Sequence, residues 1–220
     1  SYIYNRLKDN FYVTALCKNN TFIENNVYSL DLTDKSQVNN FVKRSIKFDA
    51  LIFLVGLAHK KGNLNDYKEF ELINKQTLIN LLSLLKIEGK IPEKIIFSST
   101  ISVYGERIEK DLYIESSSKQ PSSPYAITKL EAEEYLIKKY PRQSWILRFA
   151  PVYASNFKLN LNRRTEIFGI PFKVGDGENK LSLCNLKNIG LVVQGILENK
   201  VEAGVYNISD PTIYSYNALL

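Results

Sequence analysis

Tyr125 and Lys129 stand four residues apart in the stretch from Ser122 to Leu136, just after Pro124. On a helix that spacing puts both side chains on one face, a turn apart. An ammonium held near a phenol favours the phenolate and lowers its pKa from about 10. Bringing it to about 7 needs roughly 4 kcal/mol, at about 1.4 kcal/mol per unit. A phenol tuned in this way is a general base able to take a hydroxyl proton at neutral pH. Tyrosine and lysine are both frequent in this chain, so the pair by itself also fits an ordinary amphipathic helix. A second group points to chemistry. Ser98, Ser99 and Thr100 place three hydroxyls at the end of an apolar run, and Thr100 is suited to bond the hydroxyl that Tyr125 would deprotonate. The competing role for these hydroxyls is a turn that satisfies its own backbone.

The segments around these residues alternate. An opening helix carries Tyr2, Ile3 and Leu7 on its apolar side, and strands are predicted over 11–17 and 27–30. Val38, Phe41, Val42 and Ile46 recur with helical spacing over 34–46. The strand predicted over 49–55 is apolar without alternation after Asp49, the mark of a strand covered on both faces. A long helix over 66–87, a strand over 94–98, the Tyr125 helix and a strand over 144–149 follow. This order argues for a parallel sheet with helices on both faces and right-handed crossovers. Ligands bind in such sheets outside the carboxyl ends of the strands, where the three hydroxyls fall. The strands ending near Cys17, Val55 and Ser99 are therefore predicted to lie side by side. Beyond Pro151 the pattern loosens into a turn-rich stretch over 169–178, a helix over 189–197 and a strand over 204–209. Ser122 or Ser123 can cap the Tyr125 helix, with Pro124 in its first turn.

Bulk properties narrow the class. With 220 residues and 45% apolar content, the chain can bury one sizeable core or a domain plus a small lobe. The longest apolar run, 50–58, is far short of the roughly 20 residues a membrane helix needs, so no membrane partner is expected. Cys17 and Cys184 fit neither a metal site nor a disulfide framework, which suits a reducing cytoplasm. The net charge of +6 is scattered, with no basic helix face, so it suggests attraction for small anions and no nucleic-acid partner. The chain opens with Ser1, has no methionine, and begins as if a helix were already under way, which suggests a fragment.

Taken in order, Ser98-Ser99-Thr100 with Val103-Tyr104-Gly105, then Pro124-Tyr125 with Lys129, then the run from Leu147 to Ala154, form a set. Asp31-Leu32 after a strand, the run 51–58 and Asn74 complete it. The set resembles the extended short-chain dehydrogenase/reductase superfamily, and more narrowly its NAD(P)-dependent sugar-nucleotide epimerases, dehydratases and reductases. The resemblance implies a Rossmann-like doubly wound sheet over residues 1–150, and over 151–220 a small, partly represented substrate lobe. It implies Tyr125 as acid/base, Lys129 as its partner and a ribose contact, and Thr100 as the group that orients the reacting sugar hydroxyl or carbonyl. Asp31 and Leu32 would hold the adenine, while Val55, Gly56 and Leu57 would line the dinucleotide. Ser98 and Ser99 would lie under the nicotinamide, and Asn74 would support the cofactor from the long helix. No metal is implied.

The family's glycine-rich phosphate turn is expected before Ser1. Gly175-Asp176-Gly177 lies too far along to replace it. At the end of the strand over 11–17 stands Leu16-Cys17-Lys18, without the acid that bonds the ribose of NAD. Lys18 could meet a 2′-phosphate, so the cofactor is NAD or NADP with a lean to NADP. Phe53, where many relatives carry histidine, is read as packing, and Lys180 as an exposed turn residue. After Thr100, Ile101 and Ser102 replace the acid pair typical of 4,6-dehydratases. That leaves a nucleotide-sugar 4-epimerase or a 4-keto-sugar reductase, with a place in polysaccharide biosynthesis and a possible homodimer. The alternative is a catalytically inactive dinucleotide-binding or regulatory protein of the same fold.

Overall fold

The computed structural model describes residues 2–18, 26–58, 66–105, 112–173 and 175–220. Helix α1 (Tyr2–Leu7) leads to β1 (Ala15–Cys17), β2 (Val27–Ser29), α2 (Lys35–Arg44) and β3 (Ala50–Phe53). Next, α3 (Tyr67–Glu71) runs through a π-helical turn (Leu72–Gln76) into α4 (Thr77–Ile87). Strand β4 (Lys94–Thr100), a 3-10 turn (Ile101–Tyr104), α5 (Pro124–Lys139) and β5 (Ser144–Phe149) follow. The remainder comprises β6 (Val152–Tyr153), α6 (Leu159–Thr165), β7 (Glu166–Ile167), β8 (Ile170–Pro171), β9 (Lys180–Leu181) and β10 (Cys184–Asn185). Helix α7 (Leu186–Leu197), β11 (Gly204–Ile208), β12 (Tyr214–Ser215) and α8 (Tyr216–Leu219) complete it.

Four strands form one parallel sheet in the order β11-β5-β4-β3. Side chains alternate across a strand, and the two cores follow from that alternation along β4. Ile95 and Phe97 face α2, α4 and α5, meeting Val38, Val42, Leu78, Leu82 and Leu136. Ile96 faces the other way, with Ile3 and Leu7 of α1 and Ile189, Val193 and Ile196 of α7. Each fully buried side chain of this kind contributes roughly 1.5–3 kcal/mol. Helices thus cover both faces of the sheet, as the unbroken apolar run after Asp49 predicts.

One expectation needs correction. Strands β3 and β4 are neighbours, but among the described residues β1 pairs in parallel only with β2, as a separate two-stranded sheet. Among the described residues no strand hydrogen-bonds both β1 and β3. Hydrophobic periodicity marks a segment as a strand without saying which edge it meets. The strand predicted over 11–17 also shrinks to its last three residues, since only Ala15, Leu16 and Cys17 have a partner.

The chain beyond Pro151 is divided. Strand β11 joins the main sheet beside β5, and α7 packs on the face shared with α1. The rest forms short pairs: β6 with β10, β9 with β12, and the β7–β8 hairpin. That hairpin turns on two residues, because Ile167 pairs with Ile170. Phe168 and Gly169 have φ of 54° and 78°. Positive φ at both positions is the pattern of a type I′ turn, which favours Asn-Gly. Holding a non-glycine residue in the left-handed region costs roughly 1–2 kcal/mol.

Candidate active site

Helix α5 starts where the sequence places it. Ser123 accepts a hydrogen bond from the Ala126 N–H, and Pro124 occupies the first turn. The helix then presents Tyr125 and Lys129 to the carboxyl ends of β3 and β4. There they line a cavity of about 340 Å³ together with Gly56, Ser98 and Ser99. Tyr2 and Ile3 of α1 reach the same cavity from the opposite face of the sheet.

Lys129 is 2% exposed. Its Nζ donates to the Ser98 carbonyl at 2.8 Å and the Val55 carbonyl at 3.1 Å, tying the ends of the two strands together. The same ammonium lies 4.7 Å from the centroid of the Phe97 ring. Burial lowers its pKa to about 7, against a smaller opposing pull from Glu133. Tyr125 is also shifted by burial, in this case upward, while a hydrogen bond with Thr100 works in the other direction. Burial is thus the larger influence on the phenol. The two residues share a helix face, and Lys129 gives two of its three donors to peptide carbonyls.

The Lys129 shift carries a stability consequence. In the unfolded chain a lysine titrates near its ordinary value of about 10.4, so between about pH 7 and that value the unfolded state binds more protons. The contribution of Lys129 to stability therefore rises as pH climbs through this window. Denaturant midpoints measured from neutral to alkaline pH should rise more for the wild type than for Lys129→Met. Parallel curves would show that the ammonium is solvated.

Thr100 is nearly buried and caps the 3-10 turn, accepting from the Ser102 N–H at 3.2 Å. Asn74 is fully buried, so it is not a solvent-facing helix residue. Its Oδ1 accepts from the Leu57 N–H at 2.7 Å and its Nδ2 donates to Thr128 Oγ1 at 3.0 Å. It sits in the π-helical turn, and these bonds fasten the residues after β3 to α5. Gly56 lies between, where an added Cβ would come within 3.0 Å of Lys129 Nζ. Val55 packs against the α2/α4 core and offers its carbonyl to Lys129.

Asp31 and Leu32 lie apart from this cluster, after β2. Leu32 packs on the α2/α4 core. Asp31 forms an ion pair with Lys18 at 2.8 Å and accepts from the N–H and hydroxyl of Thr33. The Lys18 and Thr33 hydrogen bonds hold its carboxyl down at about 2. Lys180 is exposed on β9, and Phe53 stacks on Phe97 inside the core.

Sequence reasoning missed a buried polar network behind the cavity. Arg148 on β5 and Glu133 on α5 are 2% and 0% exposed and are joined at 2.6 Å. Burial opposes the Arg148 cation, but its bonds to Glu133 outweigh this and raise its pKa. Ser99 Oγ donates a short hydrogen bond to Glu133. Arg148 also donates to Tyr104 Oη at 2.8 Å and the Glu115 carbonyl at 3.1 Å, and Tyr104 donates to Asn207 at 2.7 Å. The available signal was an arginine in the otherwise apolar run 145–149, a charge that burial obliges to find a partner.

Among the described residues no cluster of candidate metal ligands occurs, and no helix is long and apolar enough to cross a membrane. No curated protein sequence matches the chain. Several solved structures share its fold. The UDP-glucose 4-epimerase of Thermotoga maritima, solved with UDP-glucose, superposes with a TM-score of 0.79 at 20% identity, over 99% of this chain and 75% of that one. The UDP-glucose 4-epimerase of Thermus thermophilus, in complex with NAD, gives 0.76 at 21% identity, over 99% and 76%. A hypothetical dTDP-4-dehydrorhamnose reductase from Sulfolobus tokodaii gives 0.74 at 18%, over 99% and 74%. The sheet is parallel and covered by helices on both faces, the family model of the NAD dependent epimerase/dehydratase family matches residues 1–208, and the chain belongs to that family.

Proposed function

We propose that this chain acts on nucleotide sugars as a 4-epimerase or 4-keto-sugar reductase, with Tyr125 as the acid/base. The observation that carries the reading is the cavity at the carboxyl ends of β3 and β4, which Tyr125 and Lys129 line together with Ser98 and Ser99, just before Thr100 ends β4. Thr100 orients the C4 oxygen, and Tyr125 takes its proton on oxidation and returns one on reduction. Lys129 keeps the strand ends in register and offers a positive charge when protonated. Ile101 packs toward the α1/α7 core and Ser102 bonds Thr100, so neither supplies the acid and base that a 4,6-elimination needs.

A nicotinamide dinucleotide suits this site. The glycine at 56 keeps the end of β3 free of a side chain, and the cavity offers hydroxyl and ammonium donors beside apolar walls. When bound, the dinucleotide supplies the means of accepting and returning a hydride. Lys129 would hold its ribose with Tyr125 alongside, Ser98 and Ser99 its nicotinamide side, Val55, Gly56 and Leu57 its length, and Asp31 and Leu32 its adenine. Asn74 serves by fixing Leu57.

Lys18 supports a preference for NADP, because it is exposed at the end of β1 and its ammonium is shared only with Asp31 among the described contacts. Lys18→Ala is expected to weaken NADP binding about tenfold, a change of about 1.4 kcal/mol, and to leave NAD binding nearly unchanged. Calorimetry with both dinucleotides measures this. Equal losses for the two would remove Lys18 from 2′-phosphate recognition.

The function is tested by incubating the protein with UDP- and dTDP-sugars, their 4-keto forms, and each dinucleotide in both oxidation states. An epimerase yields C4-inverted sugar without net change of the dinucleotide. A reductase consumes reduced dinucleotide in step with the 4-keto sugar. Dinucleotide binding without either product would favour an inactive binding protein.

A further inference from the structure

The tip of the β7–β8 hairpin combines backbone strain with complete exposure of an aromatic ring. Phe168 holds a left-handed conformation and is 101% exposed. Ile167 and Ile170 beside it are 52% and 69% exposed. Packing does not account for these side chains. The hairpin is anchored behind its tip, where the Phe172 N–H donates to the Thr165 carbonyl and the Phe172 ring meets Tyr216. The tip does not line the cavity at Tyr125. A type I′ turn accepts asparagine at the first position far more readily than phenylalanine, so the ring is held outward at a conformational cost.

The flanks of the hairpin are basic. Lys158 precedes α6, Arg163 and Arg164 lie in its last turn, and Lys173 follows β8. Glu166 is the single acid from 158 to 173. The next acids, Asp176 and Glu178, lie in the following turn, where Glu178 accepts from Asn217 and Lys173 donates to the same asparagine side chain at 3.3 Å, so the net basic charge of the hairpin rests chiefly on Lys158, Arg163 and Arg164.

We propose that this hairpin is a membrane-contact element that seats the protein on an anionic lipid surface. Phe168, with Ile167 and Ile170, enters the boundary between headgroups and acyl chains, while Lys158 and Arg163 meet the headgroups. Peripheral attachment of this kind adds apolar insertion to electrostatic attraction and needs no spanning segment. The sequence expectation of no membrane partner rested on the length of apolar runs, a measure blind to a three-residue tip. A second copy of the chain fits this surface poorly. A stable protein interface buries about 800 Å² on each partner, more than a convex two-residue turn presents, and a two-fold contact would oppose basic flanks to one another.

The test is co-sedimentation with vesicles of equal parts phosphatidylglycerol and phosphatidylcholine, and with vesicles of phosphatidylcholine alone. The wild type is expected to bind the mixed vesicles at least about tenfold more strongly than the neutral ones, with binding falling as salt rises. Phe168→Asn is expected to lose about tenfold or more of this binding while its thermal midpoint rises, because asparagine suits the turn. That pairing separates lost insertion from lost folding. Lys158→Gln combined with Arg163→Gln is expected to weaken binding to the mixed vesicles and flatten its salt dependence. Failure of the wild type to bind the mixed vesicles, or equal binding by Phe168→Asn, would overturn the proposal. So would a concentration-dependent dimer in sedimentation velocity that Phe168→Asn abolishes without any vesicle binding, which would assign the tip to self-association.

Discussion

Tyr125→Phe is expected to lower turnover of the nucleotide sugar by about 10²–10⁴-fold, the range typical of a lost general acid–base group, while dinucleotide affinity changes little. Phenylalanine keeps the ring at the cavity wall and removes only the phenolic oxygen. The effect should therefore fall on kcat, with substrate and dinucleotide affinities near those of the wild type. Thr100→Val should lower kcat less, because it removes the orienting partner and leaves the proton-transfer group in place. Turnover in Tyr125→Phe comparable with the wild type would remove the acid/base assignment, and with it the proposed chemistry.

The second large effect is on stability and comes from the pair behind the site. Glu133→Gln leaves the Arg148 guanidinium buried beside a neutral amide, together with the Ser99 and Tyr104 bonds that depend on it. Breaking one partner of a buried ion pair typically costs about 3–5 kcal/mol, a large share of the roughly 5–15 kcal/mol that holds a domain folded. Denaturant unfolding of Glu133→Gln should show that loss. The double variant Glu133→Leu with Arg148→Met should recover much of it, since well-packed apolar replacements remove the stranded charge. A loss below about 1 kcal/mol in Glu133→Gln would place the pair with solvent-exposed ion pairs, contrary to its burial.

What could be read in the sequence was whatever repeats along a helix or strand. The helical spacing of Val38 and Val42 and the unbroken run at Leu51 to Val55 identified the two-sided sheet, and the Ser123 cap with Pro124 located the start of α5. The positions of Thr100 and Tyr125 were legible because one ends a strand and the other starts a helix at the carboxyl edge of the sheet. Three features were not legible, and each depends on contacts distant in sequence. Lys129 turns to the carbonyls of Val55 and Ser98, 74 and 31 positions away. Ser99, expected at the nicotinamide side, also donates into the Glu133–Arg148 network. The separation of the β1–β2 pair from the main sheet concerns strand edges, which apolar periodicity does not encode. Phe168 is a different case. Phe-Gly between Ile167 and Ile170 carries little of the Asn-Gly signature of a two-residue hairpin, so the turn and its exposed ring emerge only from the backbone geometry.

The central claim is that C4 of a nucleotide sugar is the redox centre and that Tyr125 moves only the proton. It is tested most directly with the sugar that the turnover assay selects, deuterated at C4. If the enzyme is an epimerase, the protein is mixed with this sugar and stoichiometric oxidised dinucleotide, quenched early, and the nicotinamide ring is weighed by mass spectrometry. If it is a reductase, the label starts on the reduced nicotinamide and the product sugar is weighed. The expected result is deuterium passing between C4 and the nicotinamide ring in the wild type, and almost none passing over the same time in Tyr125→Phe at equal dinucleotide occupancy. Product formed with the C4 deuterium exchanged into water, or label transfer undiminished in Tyr125→Phe, would contradict the account.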